Sequence, residues 1–290
     1  MRLLGMWPLD TSRLSHLRCG LSFGTMLVIN CPAIVYLFMI TNWVAIMNQA
    51  NLTFPLFFAY VKFVLMKTKA KNLRLILRSM SRDWANYRYL SARDRRAMFH
   101  YAKKGRQINV FCFVWMMLAV GVYIITPLVE SAWLSGQLAN ATSSRLPTDV
   151  FFSLEQPYAY EMMYVGQSII GLISGTVIFS VDCFICIVVF HACGQLDVLA
   201  ATLERYDGTV EHDGTKDACF RSCACLPCIV KRHVHILNYM NVVEKSFNSF
   251  ILFQLLLTTV ILALQGFQIV LVVSINKYMY TKLYKYIRNH

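Results

Sequence analysis

The amino-acid sequence predicts an all-α, polytopic helical membrane protein with five transmembrane helices and a cytoplasmic N-terminus. Two observations lead to this fold class. First, 57% of the 290 residues are hydrophobic, and they are gathered in long stretches with few or no charges. Such stretches are typical of helices that cross a bilayer. Second, Lys and Arg are distributed very unevenly among the segments that connect these stretches.

The uneven distribution predicts which connecting segments lie inside the cell. Segment 67–106 holds thirteen Lys and Arg and two acidic residues, whereas segment 129–161 holds one, Arg145, and four acidic residues. Segments 1–18 and 191–245 hold three and six Lys and Arg. Because cationic residues that flank a span are retained in the cytosol, we predict that only 129–161 is a long extracellular loop.

Segment 1–18 is the predicted cytoplasmic N-terminus, and 19–66 contains spans one and two with a short outer loop. Residues 19–61 contain no charged side chain, and this length suffices for two helices. Lys62 is predicted to extend its ammonium group towards the cytosol. The turn between the spans is predicted from uncharged polar residues and one proline: Asn42, Asn48, Gln49, Asn51 and Pro55.

Segment 67–106 is predicted to be a basic cytoplasmic helical loop rather than a flexible linker. Its apolar residues recur at the spacing of one helix face. They are Leu73, Ile76, Leu77 and Met80. Span three follows at 107–128, a charge-free run of roughly 35 Å when helical.

The extracellular loop 129–161 contains the triplet Asn140-Ala141-Thr142, which makes Asn140 a candidate for glycosylation. Span four follows at 162–190 and contains one acidic residue, Asp182. A charge within a span is costly, so we expect it to face protein or water.

Segment 191–245 is predicted to be a cytoplasmic loop that extends the helix of span four and contains a cysteine cluster. Span five covers 246–275. The remaining residues, 276–290, carry four Lys and Arg and no acidic residue, and we interpret them as a divergent tail.

The cysteine cluster comprises Cys219, Cys223, Cys225 and Cys228. We predict no metal site here and treat the cluster as a secondary candidate for zinc, with His233 and His235 as nearby donors. Cys225 and Cys228 have a suitable spacing, but the other spacings overlap with it. Palmitoylation and ordinary reduced thiols are the alternatives. No disulfide framework is expected, because no cysteine lies in a predicted extracellular segment.

Other classes of function lack a motif in this sequence. We find no nucleophile motif or paired-acid constellation, so no enzyme is predicted. We find no phosphate-binding loop, and no cofactor is predicted. The net charge of +13 is concentrated beside spans, which favours the lipid bilayer over nucleic acid as its partner.

Several short motifs, in order and at the right spacing over residues 1–273, resemble the insect odorant receptor family. The motifs are Leu4-Gly5-Met6-Trp7-Pro8, Glu155-Gln156-Pro157-Tyr158 followed by Tyr164 and Gln167, Asp182, His233 to Asn238, Phe247, Gln254 and Gly266-Phe267.

The resemblance implies a seven-span, plasma-membrane receptor with inverted topology in the dendrites of sensory neurons. Its members are subunits of tetrameric, ligand-gated cation channels, in which an odour-tuned subunit joins a co-receptor and binds a small volatile organic ligand. Because no counterpart of the sixth and seventh spans is present, we interpret the chain as truncated after the fifth span.

The resemblance further implies a ligand pocket in the outer half of the membrane, between spans two to four and the family's sixth span. The candidate residues are Phe57, Phe58, Tyr60, Trp115, Tyr123, Tyr160, Tyr164 and Ser168. Ordinary helix packing is the alternative role for each of them. Asp182, with Lys62 as a distant candidate partner, is expected either to form a polar centre below the pocket or to bond a neighbouring helix.

Three other functions remain open at this point. The first is a related gustatory-type receptor. The second is a non-conducting truncated isoform that assembles only as a regulatory or inactive subunit. The third is a membrane-embedded enzyme that uses the cysteine cluster.

Overall fold

The computed structural model describes residues 1–137, 146–147, 158–208, 212 and 223–288. The helices in this part of the chain are α1 (Arg13–Met39), α2 (Trp43–Thr68), α3 (Ala70–Ala85), α4 (Ala92–Gln137), α5 (Ala159–Glu204) and α6 (Leu226–Arg288). A short 3-10 turn, Asn86–Tyr89, separates α3 from α4.

Five of these helices, all except α3, contain stretches long and apolar enough to cross a membrane. No strand occurs in the described ranges. The predicted fold class, an all-α polytopic membrane protein with five spans, is therefore confirmed. None of the most apolar stretch of α4 is buried inside the protein. Such a surface requires a bilayer or another protein to cover it.

The break between the first two spans lies earlier than the sequence predicted. α1 ends at Met39 and α2 begins at Trp43, so the amides from Asn48 onward and Pro55 lie within the helix. Asn42 precedes α2, and its Oδ1 accepts a hydrogen bond from the Val44 N–H at 2.9 Å. This is the geometry of a helix N-cap. Asn48 and Asn51 lie within the helix, and their side chains bond to Gln268 of α6.

The basic segment 67–106 is helical over most of its length. In α3, Leu73, Ile76 and Met80 are buried, as their spacing predicted. Segments predicted as loop or tail are also helical: α4 continues to Gln137, and α6 continues through 276–288. The sequence analysis placed these boundaries at the ends of apolar runs, but backbone hydrogen bonds continue a helix beyond the hydrocarbon.

The chain divides into two compact units. The first comprises Met1–Ser22, Lys62–Gly121 and Gly175–Phe250. Its core contains buried apolar residues from several helices, among them Phe63, Leu73, Ile76, Ile236 and Phe250. The second unit comprises Phe23–Val61, Val122–Ser174 and Ile251–His290. Within it, Leu56 and Ile170 form a small buried cluster.

The N-terminal leader packs within the first unit through backbone acceptors. Lys67 Nζ donates to the carbonyl of Gly5 at 2.5 Å, and Arg74 Nε donates to that of Pro8 at 2.8 Å. Gly5 has φ of +64°, and a Cβ at this position would lie 2.3 Å from the carbonyl oxygen of Ser15. The leader therefore requires glycine here, both for its left-handed backbone and for space.

Candidate functional site

The predicted aromatic residues of α2 form ring contacts within the second unit. The Phe57 and Phe58 rings both contact Phe253 of α6, with centroids 6.5 and 5.9 Å apart. Tyr60 contacts Phe23 of α1 at 5.2 Å. We call Phe57, Phe58 and Phe253 the α2–α6 aromatic cluster. The sequence analysis did not single out Phe253, because nothing in the local pattern of span five separates it from other apolar residues.

A second group of predicted residues forms a ladder on α5. Tyr160, Tyr164 and Ser168 are spaced by four, which places them on one helix face. The Tyr160 and Tyr164 rings lie 6.0 Å apart. The Tyr164 hydroxyl donates to the carbonyl of Ile124 on α4 at 2.5 Å, and the Ser168 hydroxyl donates to that of Tyr164 at 2.7 Å. The ladder therefore holds α4 against α5 through a polar contact.

Tyr123 and Trp115, the two candidates on α4, have different surroundings. Tyr123 packs over Gly171 of α5, so closely that a Cβ on this glycine would lie 2.7 Å from the ring. Trp115 belongs to the first unit and is 67% exposed. The structure therefore brings seven of the eight predicted pocket residues into the second unit and does not include Trp115 among them.

An apolar cavity of about 600 Å³ in the second unit lies between the first turns of α2 and residues 265–273 of α6 and has the volume of a small-molecule site. Its polar lining includes Asn48, Gln265 and Gln268. Gln268 Nε2 donates to Asn48 at 2.9 Å, and Asn51 donates to Gln268 at 2.5 Å. None of the eight predicted residues lines this cavity.

Lys62 and Asp182 form an ion pair within the first unit. Lys62 Nζ lies 2.5 Å from Asp182 Oδ1, and the side chains are 1% and 40% exposed. The lysine is buried, so the prediction that it extends into the cytosol was wrong. A buried ammonium group is stable only with a partner, and the carboxylate on α5 supplies one.

A second polar centre, which the sequence analysis missed, surrounds Asp83 of α3. His191 Nε2 of α5 lies 3.0 Å from its Oδ2, and His235 Nε2 of α6 lies 3.2 Å from its Oδ1. Arg82 Nη2 lies 2.9 Å from His235 Nδ1. Because the guanidinium can only donate, His235 accepts at Nδ1 and donates from Nε2 to the carboxylate. The only sequence signal was an acidic residue on the apolar face of α3.

Burial and hydrogen bonding have opposite effects on Asp83. Desolvation raises the pKa of the carboxyl, but the hydrogen bonds from His191 and His235 outweigh it, and the pKa is lower than that of an ordinary Asp. The carboxylate form is therefore stabilised in the folded protein. This centre joins α3, α5 and α6 through one charged group.

A third centre joins α4 to α5 and α6. Asp94 is buried, and Arg205 Nη2 lies 2.9 Å from its Oδ2. Arg205 Nη1 also contacts Asp94 at 3.2 Å, so the guanidinium uses two nitrogens. Arg232 of α6 donates to the hydroxyl of Thr202 at 3.2 Å. Such multiple charge-assisted contacts fix both distance and orientation.

A cavity of about 510 Å³ lies within the first unit beside these centres. Most of its lining is apolar, including Phe113, Phe179 and Phe190. Arg106 and Asn109 also line it, and Asn109 Oδ1 is buried and has no hydrogen-bond partner among the described residues. The cavity can accept an amphiphilic molecule with a hydrogen-bond donor.

The described part of the cysteine cluster lies at the start of α6. His212 Nδ1 is within 3.8 Å of the Sγ atoms of Cys223, Cys225 and Cys228. His233 is exposed, and His235 bonds to Asp83, so neither belongs to this cluster. Cys219 and the glycosylation candidate Asn140 lie outside the described residues.

Comparison with known proteins relates the chain to insect chemoreceptors. The family model "7tm Odorant receptor" matches residues 42–286. Odorant receptor 13a of Drosophila melanogaster is 26% identical over 170 residues, which cover 57% of this chain. The match spans only 40% of that relative's own length.

Two solved structures have the same fold. The insect olfactory receptor OR5 from Machilis hrabei matches with a TM-score of 0.61 and 14% identity, covering 91% of this chain and 67% of the receptor. The structure of that receptor in complex with eugenol matches with a TM-score of 0.58 and 14% identity. It covers 86% of this chain and 63% of the receptor.

Proposed function

The chain belongs to the 7tm Odorant receptor family, and from this premise we propose that it is an odorant receptor subunit. It binds small volatile organic ligands and contributes to a ligand-gated cation channel together with a co-receptor. It is a multi-pass membrane protein, and we place it in the plasma membrane of a sensory neuron. The family membership points to a receptor or channel rather than an enzyme.

The observation that carries the proposal is the set of aromatic and hydroxyl side chains in the second unit. The α2–α6 aromatic cluster offers apolar ring surfaces, and the Tyr164–Ser168 ladder offers hydroxyl groups on a neighbouring pair of helices. Apolar walls with few polar groups suit a volatile molecule, which gains most of its binding free energy from desolvation. The Machilis receptor, which shares the fold, has been solved with eugenol bound.

Ligand binding opens a channel only if the open state has the higher affinity. In this chain the ladder connects the proposed ligand site directly to the contact between α4 and α5. A ligand that displaces Tyr164 breaks its hydrogen bond to Ile124. The contact between α4 and α5 then changes, and we propose that this change biases the gating equilibrium.

The test is odour-evoked current in cells that express the full chain with and without the co-receptor, with eugenol as the first probe. We expect current only with the co-receptor. Replacing Phe58 by Ala should raise the half-maximal eugenol concentration about tenfold, since one aromatic wall is worth ~1 kcal/mol or more. Trp115→Ala is the matched control, because this exposed aromatic lies outside the second unit.

Two results would contradict parts of the proposal. If wild type and Phe58→Ala respond equally and only Gln268→Leu changes the half-maximal eugenol concentration, the ligand binds in the amide-lined cavity instead. If the chain reaches the cell surface normally but no volatile in a broad panel evokes a current, the result would favour a subunit that only assembles with its partners.

The proposed location and topology are tested separately from conduction. An epitope placed in 129–161 should bind antibody on intact cells, whereas one placed in 67–106 should bind only after permeabilisation. The reverse pattern would show that the basic segments do not lie on the cytoplasmic side of the membrane.

A further inference from the structure

Three cysteine side chains at the start of α6 and one histidine from earlier in the chain converge on one point, and none of them is among the proposed ligand-binding residues. His212 Nδ1 lies 3.4 Å from Cys225 Sγ, 3.4 Å from Cys228 Sγ and 3.8 Å from Cys223 Sγ. The sulfur atoms of Cys223 and Cys225 are 3.4 Å apart. All four donor atoms lie within 4.8 Å of one another. We call these residues the Cys3His cluster.

Four of the six distances between donor atoms match those of a tetrahedral metal site. With Zn–S bonds of about 2.3 Å and Zn–N bonds of about 2.0 Å, tetrahedral geometry separates the donor atoms by roughly 3.5–3.8 Å. These four separations are within a few tenths of an ångström of this range, and the other two, from Cys228 Sγ to the Sγ atoms of Cys223 and Cys225, are at most 4.8 Å. Three sulfur donors and one imidazole are also a ligand set that structural zinc sites use.

The local backbone explains how the two helix-proximal cysteines reach the same point. The Cys228 and Ile229 N–H groups donate to the carbonyl of Cys225, at 3.0 and 3.1 Å. This turn opens α6 at Leu226. Pro227 fits here because the first helical positions need no N–H partner within the helix.

Two of the three cysteines in the cluster are shielded from solvent. Cys225 is 3% exposed and Cys228 is 1% exposed. Palmitoylation requires a thiol that an acyltransferase can reach, so it fits these two positions poorly. From the sequence, zinc binding was only a secondary candidate, because the spacings of the four cysteines overlap. The structure supplies His212, sixteen residues before Cys228, as the donor that resolves this mismatch.

We propose that the Cys3His cluster, with its cysteines reduced, binds one Zn²⁺ and fastens the segment after α5 to the first turn of α6. Coordination of one ion by His212 and by the cysteines at 223–228 closes a loop in the chain, which lowers the entropy of the unfolded state. The three thiols release one proton each, and the imidazole of His212 coordinates through Nδ1.

Cys228 is disulfide-bonded in the structure. The predicted location of this segment is cytosolic, where glutathione keeps thiols reduced. Two glutathione thiols reduce the disulfide to two cysteine thiols and form one glutathione disulfide, so electrons and protons balance. Zinc binding and this disulfide are mutually exclusive, because both use the Cys228 sulfur.

The test measures zinc in the full chain, purified in detergent under a phosphine reductant and normalised to monodisperse protein. We expect about one zinc per chain. The double variant Cys225→Ser, Cys228→Ser and the single variant His212→Ala should lose zinc on the order of tenfold or more. Cys193→Ser, a partly buried thiol on α5 outside the cluster, should retain it.

Two further measurements separate a metal site from a merely structural role. His212→Cys should retain zinc, because it restores four donors, whereas His212→Ala should not. Co²⁺ substitution should give the intense visible bands of tetrahedral thiolate coordination, and these should strengthen in His212→Cys.

Three outcomes would overturn the proposal: no zinc in reduced wild-type protein, equal zinc in all variants, or an octahedral Co²⁺ spectrum. Thiol labelling in intact cells gives a fourth check. Recovery of Cys228 as a disulfide or as a palmitoyl thioester would equally refute the zinc site.

Discussion

The ammonium group of Lys62 lies 2.5 Å from the carboxylate of Asp182, and this ion pair joins α2 to α5 across 120 positions of sequence. Lys62 is among the most deeply buried large side chains in the described ranges. Removing a charged residue from the protein interior leaves its partner without compensation, which costs more than the pair itself contributes. The pair therefore has a testable non-additive effect.

We expect Lys62→Met and Asp182→Asn each to destabilise the protein by about 3 kcal/mol, because each leaves one uncompensated charge. The double variant Lys62→Met, Asp182→Asn should recover most of this loss. Thermal unfolding in detergent, analysed as a double-mutant cycle, measures the coupling. Additive losses would show that the two groups do not interact.

The Asp83 centre predicts a dependence of stability on pH. A carboxyl whose pKa is lower in the folded chain adds stability above its unfolded pKa and loses it as the pH falls through the folded value. Since hydrogen bonds from two histidines outweigh burial and lower the pKa of Asp83, Asp83→Asn should cost about 2 kcal/mol at neutral pH. The difference from wild type should shrink below about pH 4.

Melting temperatures of both proteins across an acidic pH series would measure this difference. Asp197→Asn is the control, because this exposed carboxyl lies on the same helix as His191. A loss for Asp83→Asn that stayed constant down to strongly acidic pH would show that its contribution is steric rather than ionic.

Two glycines on α5 form a matched pair for testing the contact between α4 and α5. A Cβ at Gly171 would lie 2.7 Å from the Tyr123 ring, whereas nothing lies within 4 Å of a Cβ at Gly166. Gly171→Ala should therefore cost about 1–3 kcal/mol by overpacking. Gly166→Ala should gain up to about 1 kcal/mol through helix propensity.

Thermal unfolding of the two variants provides the comparison. Adding Tyr123→Ala should remove most of the cost of Gly171→Ala, because the clash is with that ring. If Gly171→Ala is as stable as Gly166→Ala, Tyr123 does not pack against α5 in the way the structure shows.

Gly5 is the fourth test, because it has both a left-handed backbone and no space for a side chain. Its φ is +64°, and a Cβ would also lie 2.7 Å from the backbone nitrogen of Cys19. Backbone atoms cannot move aside as a flexible side chain can. We expect Gly5→Ala to cost about 2 kcal/mol or more. Gly20→Ala, with nothing within 4 Å, should not.

Limited proteolysis distinguishes local from global effects of this change. Release of the leader from Lys67 and Arg74 should expose residues 1–12 to protease while the helices stay intact. A leader that remains protected in Gly5→Ala would contradict the proposed fit.

The elements that follow from hydrophobicity alone were predictable from the sequence. The five apolar helices and the buried face of α3, with Leu73, Ile76 and Met80, follow from local composition and spacing. The continuation of α2 through Asn48 was not predictable, because an amide in a span favours a turn unless a distant partner satisfies it. Gln268 supplies that partner from 220 positions away.

Polar centres built from distant residues could not be predicted for the same reason. Asp83 lies 108 positions from His191 and 152 from His235, and no local periodicity links them. His212 was also missed as a partner of the cysteines, since its separation from Cys228 falls outside the short spacings that identify zinc motifs. Only the three-dimensional path of the chain brings these groups together.

The unbroken 63-residue α6 would measure about 95 Å along its axis, roughly three times the thickness of a hydrocarbon layer. A helix of this length cannot lie wholly within the hydrocarbon, so a large part of α6 must extend beyond the bilayer.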